Sequence, residues 1–136
     1  MRVDFLTNVE TAFLKVFTAD SVLKEYNWER WDSDQTVELP RATLGLSARR
    51  DPEDTPYHRI EAVIRFEGRP KKQKMTAIVN QLKDVLETIN TADLDTASGN
   101  TVQFMGHAIT VNENRSIVEG LRVWMFAFVI YGLPMV

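Results

Sequence analysis

The chain has 136 residues, 44% hydrophobic and 26% charged, the proportions of one ordinary globular domain with room for a core. Nineteen acids against sixteen bases leave a net charge of −3, which excludes a general electrostatic attraction to nucleic acid or an anionic membrane. Cysteine is absent, which excludes disulfides and thiolate metal sites and suits the cytosol.

The start, Met1-Arg2-Val3-Asp4, carries an acid and helical periodicity and does not resemble a signal peptide. Val3, Leu6, Val9, Phe13, Val16 and Phe17 recur at three- and four-residue steps and predict an amphipathic helix over 2–17. The polar stretch 26–34 that follows reads as a loop. It holds Trp28 and Trp31 among charges, and two readings compete. They fold back over an end of the core, as the usual burial of tryptophan favours. Otherwise they are aromatic anchors for a partner, with Arg30 between them.

Two alternating stretches come next. Ala42, Leu44, Leu46 and Ala48 oppose Arg41, Thr43, Gly45 and Ser47, while Ile60, Ala62, Ile64 and Phe66 oppose Arg59, Glu61, Val63, Arg65 and Glu67. Period-two patterning predicts antiparallel strands with one wet face. Their link, 49–57, contains Asp51-Pro52 and Thr55-Pro56 and reads as a long hairpin loop. Pro40 belongs at a strand start or on an edge.

The clearest helix spans 71–90. Met75, Ile78, Val79, Leu82, Val85, Leu86 and Ile89 fall on one stripe, with Lys74, Gln81, Lys83, Asp84 and Glu87 opposite. Pro70 suits its first turn, and the turn-rich residues from Asn90 to Asn100 end it. Beyond, Val102 and Phe104 are in one phase and Ile109 and Val111 in the other, so a short hairpin or a bulge at Met105-Gly106-His107 is expected. Residues 112–116 read as another turn.

The last strand, 118–131, departs from the pattern. Trp124, Phe126, Phe128 and Ile130 make one face and Val123, Met125, Ala127 and Val129 the other, and neither is polar. Leaving four such side chains exposed forgoes about 1.5–3 kcal/mol each. Either the two helices lie on opposite faces of the sheet, or another subunit covers one of them. The bulky face is expected to meet the 71–90 helix. A subunit contact over part of the second face, through Val123, Met125, Ala127 and Val129, is the favoured reading, with the first helix as the other possible cover. The apolar run 123–131 is far below the roughly 20 residues a membrane helix needs, so no membrane segment is expected.

Enzyme signatures are missing: no glycine-rich phosphate loop, no nucleophile elbow, no H-E-x-x-H. His58 and His107 are isolated, and no catalytic, cofactor or metal site is expected. Asp51, Glu53 and Asp54 crowd one loop, but two prolines and no glycine do not suit calcium. With Arg49 and Arg50 beside them they fit the polar rim of an interface. Arg69, Lys71, Lys72 and Lys74 gather at a helix start, where the macrodipole disfavours cations. They form either a solvated basic patch or a surface for an anionic partner.

The expected fold is α+β: a mainly antiparallel sheet with two packed helices, in the order α-β-β-α-β-β. This layout resembles the tail-terminator (tail-completion) proteins of long-tailed bacteriophages and the related small α+β proteins of the head–tail joint. The likeness lies in the helical start 3–17, Leu39-Pro40-Arg41-Ala42 entering a strand, 60–66, the 75–89 stripe, the 102–106 turn and 121–131. The Trp28/Trp31 segment stands outside it.

The resemblance implies a homo-oligomeric ring, usually a hexamer, that caps the tail tube in the virion after assembly in the host cytoplasm. Its partners would be the tail-tube protein and head or neck proteins, and DNA would pass through the lumen without sequence-specific binding. On that reading Arg49, Arg50, Asp51, Glu53 and Asp54 would touch tube or neck. The competing expectation is a stand-alone binding module for a small molecule or peptide, held between helix and sheet.

Overall fold

The computed structural model describes residues 2–31, 38–50, 57–68, 72–118 and 121–135, with the backbone alone at 2–4, 49–50, 72–75 and 106–118. The elements run α1 (Arg2–Ala19), a 3-10 turn (Leu23–Glu25), β1 (Asn27–Arg30), β2 (Arg41–Arg50), β3 (His58–Gly68), α2 (Lys72–Thr88), α3 (Thr91–Ala97), β4 (Val102–Val118) and β5 (Leu121–Pro134). The strands form one sheet in the order β1-β2-β3-β5-β4. The class is α+β, as expected, but the order gains a strand and a helix. The sheet is also mixed, because β1 runs parallel to β2.

Helix α1 forms where its periodicity predicts. Phe5, Val9, Ala12, Phe13 and Phe17 are all buried on one stripe. Asp20 ends it by turning its carboxylate onto the N–H groups of Val22 (3.0 Å) and Leu23 (2.9 Å), which starts the 3-10 turn. In α2, Ile78, Val79, Leu82 and Leu86 are buried as the stripe requires. The break after it is shorter than expected. The Asn90 side chain accepts the N–H of Ala92 at 2.9 Å and caps α3, whose Leu94 enters the core. Gly99 (φ 72°) and Asn100 (φ 64°) then take the left-handed backbone that stops the helix.

Strands β2 and β3 pair antiparallel with Ala42 opposite Phe66 and Leu44 opposite Ile64, and β3 pairs β5 with Ile64 opposite Phe126. Their inward residues and the buried residues of all three helices belong to one core. Aromatic contacts run through it: Phe13 meets Phe128 edge-on with ring centres 5.4 Å apart, and Phe17 stacks on Trp28 at 5.0 Å.

Three sequence expectations are corrected. The Trp28 segment is a strand rather than a loop; its four residues were too few and too charged to show a period. Residues 102–118 form one strand rather than a hairpin followed by a turn. The change of phase near Met105 is absorbed by a bulge between Phe104 and Gly106, and a second lies between Ala108 and Asn112. Residues 112–116 pair with β5. Finally, α1 cannot cover the second face of β5, since Phe13 packs on the same side as Phe128 and the α2 stripe.

Candidate functional site

Because the helices share one side, the other side of the sheet is free of helix among the described residues. Its rows follow from the register. Gly45, Val63 and Ala127 form one row, Thr43, Arg65 and Met125 the next, and Ser47, Glu61 and Val129 the row on the opposite flank. Met125 and Val63 are exposed at 37% and 36%, while Ala127 and Val129 are half-buried. Val123 is buried without belonging to the core, between Glu67 and Ser116 in the ladder.

The two tryptophans part company. Trp28 points inward and donates its indole N–H to the carbonyl of Leu23 at 2.8 Å, so it covers the core end. Trp31 is 68% exposed. Its N–H bonds to the Leu44 carbonyl at 2.9 Å, extending the β1 ladder, and its side chain lies over Gly45, where an added Cβ would sit 3.4 Å from Trp31 Cβ. Trp31, Gly45, Leu46, Val63, Arg65 and Met125 line a groove of about 350 Å³. Arg30, between the tryptophans, faces α1, with its guanidinium 3.1 Å from Glu10 and 2.7 Å from the Thr11 hydroxyl.

Charges surround the apolar centre in pairs. Glu67, only 7% exposed, is held by Arg41 at 2.8 Å and Arg65 at 3.0 Å. The bond to Glu67 holds the Arg41 guanidinium above its ordinary pKa against the opposing effect of burial. Arg59 and Glu61 lie farther apart, at 3.7 Å. The Tyr26 hydroxyl, inside the core edge, is pushed up to about 12 by burial and by Glu25.

Of the other sequence candidates, Asp51, Glu53, Asp54, Arg69 and Lys71 lie outside the described residues, as do the side chains of Arg49, Arg50, Lys72 and Lys74. Backbone register sets Arg49 opposite Arg59 and Arg50 opposite His58. The His58 ring rests on Phe5 with centres 4.8 Å apart. No group of three His, Cys, Asp or Glu among the described residues is placed to hold a metal, and no described helix is long and apolar enough to cross a membrane. Sequence reading passed over Trp31 on Gly45 and the place of Val63 beside Ala127, one row from Met125. The available signal was Val63 itself, the lone apolar member of a charged strand face. Compared with protein-family models and with curated proteins, the chain matches none.

Proposed function

We propose that this chain is a structural subunit that buries the open sheet face against other copies of itself, in a ring that ends a phage tail tube and joins it to the head. The observation that supports this most is the exposure of Met125, Val63 and Trp31 on one helix-free sheet face. Apolar side chains on a sheet face gain about 25 cal/mol for each Å² removed from water, and another subunit is the natural cover. In a ring every copy offers one surface and receives a different one from its neighbour, so the apolar face is one half of each contact. The Arg49–Arg50 end of β2, with the acids after it, is assigned to tube or neck. DNA traverses the lumen without base contacts.

The groove beside Trp31 favours a second reading, a stand-alone module that holds a small apolar molecule or peptide. Adding purified protein to tail tubes and imaging the tube ends separates the two. Rings at the ends support the first, and their absence together with a ligand retained in the groove supports the second. Ala127→Asp sets a charge in the middle of the apolar face and is expected to abolish rings while circular dichroism stays that of the folded subunit. Normal rings from this variant would remove the face from the contact.

A further inference from the structure

The open-face side chains of β3 read Arg59, Glu61, Val63, Arg65, Glu67 in chain order. Reversed end for end about Val63, the series sets Glu61 opposite Arg65 and Arg59 opposite Glu67. A strand face that meets its own reversed copy therefore meets opposite charge at each charged position. The neighbours extend the match: Met125, beside Arg65, falls opposite Val129, beside Glu61, and Ala127 falls opposite itself.

We infer that the free chain pairs with a second copy through this face, about a two-fold axis that lies in the interface, crosses the strands and passes the row of Gly45, Val63 and Ala127. An axis along the strands would instead stack Arg59 on Arg59 and Glu61 on Glu61, which like-charge repulsion opposes. Val63 and Ala127 are small, so the sheets approach there at the usual spacing of about 10 Å, while the Gly45 end of the row is filled by Trp31. Glu61 and Arg65 each lie two residues, about 6.8 Å, from Val63. The roughly 30° rotation of aligned sheets displaces opposed groups at that radius by about 3.5 Å, within reach of both side chains. Arg59 and Glu67 lie twice as far out, and Glu67 is already held by Arg41 and Arg65. The specific contacts are thus Glu61 with the Arg65 of the second copy, once on each side of the axis. They are also exposed, with side-chain accessibilities of 49% and 37%. Among the described side chains of this face the charges balance, Arg41, Arg59 and Arg65 against Glu29, Glu61 and Glu67; on β2 the same reversal sets position 49, also an arginine, opposite Arg41, whose charge is held by Glu67. Trp31, which lies over Gly45 in the axis row, is brought to its counterpart.

This inference goes beyond the ring reading. A two-fold contact joins a patch to itself and stops at two copies, whereas a ring contact joins different patches. The free pair must open before a ring is built from the same face.

The test is a dilution series of the full chain by analytical ultracentrifugation at low salt, with the charge-reversed variants beside it. A species of twice 15.6 kDa is expected. Glu61→Arg and Arg65→Glu should each weaken pairing about tenfold or more, and the two reversals together should restore it. Within one copy these residues lie about 14 Å apart, four strand residues, so rescue reports contact between copies. Val63→Cys gives a second readout that does not depend on charge, since the chain has no other cysteine. A short bifunctional thiol reagent should join two Val63→Cys chains and leave Glu87→Cys chains, altered on the exposed side of α2, single. A monomer at every concentration, reversals without effect, or no cross-link at position 63 overturns the pairing. A dimer that forms no ring on tail tubes overturns the ring reading alone; a monomer that forms rings overturns the pairing alone.

Discussion

Asp20 shows how one side chain can join three elements. It takes the N–H groups of Val22 and Leu23 at the end of α1 and the Gln81 amide of α2 at 2.9 Å. Burial pushes its carboxyl up, but the bonds from Leu23, Gln81 and Val22 together outweigh this and hold its pKa below the ordinary 3.8. A carboxyl depressed in this way stabilises the fold fully above pH 3.8, and the contribution is lost as pH falls through the lower folded value. Asp20→Ala is therefore expected to cost about 1 kcal/mol at pH 7, typical for a lost capping side chain. The gap between variant and parent in urea melts should close as pH drops below 3.8. None of this was legible in the sequence, whose periodicity ends the first helix at residue 17 and assigns Asp20 no role. Its partner Gln81 is 61 residues away, and only the packing of α2 beside the turn brings them together.

Among the elements, those that repeat long enough to show a period were legible. The α1 and α2 stripes, and the alternation in β2, β3 and β5, all face the core as their patterns require. What escaped was short or irregular. Four residues of β1 hold no period, and they earn strand geometry from the edge of β2 and from Trp28 and Arg30, which reach α1. Seven residues of α3 rest on the Asn90 cap and Leu94. In β4 two bulges reset the phase, so a continuous strand imitated a hairpin. The apolar second face of β5 was legible as a property of the strand. That Val123 is buried while Met125 is exposed depends on neighbours that the pattern does not specify. At the core seam, Phe13 touches Phe17, Phe104 and Phe128, tying α1 to β4 and β5. Phe13→Ala is expected to destabilise the chain by about 3–5 kcal/mol in chemical denaturation. A loss below 1 kcal/mol would mean that α1 is not seated on that side of the sheet.

For the whole molecule, a one-sided sandwich of helices and sheet has a size that scattering can read. A lone chain of 136 residues should give a radius of gyration near 14 Å, and a compact pair near 18 Å, by the scaling of globular folds. Small-angle scattering across a dilution series is expected to fall from the larger value towards the smaller as the pair of open faces separates. The sheet's margin has its own consequence. β4 lies at the end of the strand order, and the backbone groups on its outer side find no strand among the described residues. A straight border of 17 residues would be a template for fibrils, but the two bulges cut it into stretches of unequal length. The longest, 112–118, carries Glu113 and Arg115, ill-suited to the dry stacking that amyloid requires. Smoothing those irregularities, for instance by excising the extra residue at Met105, would remove a safeguard as well as a kink. A variant chosen for a tidier sheet would then be the one that gels on storage.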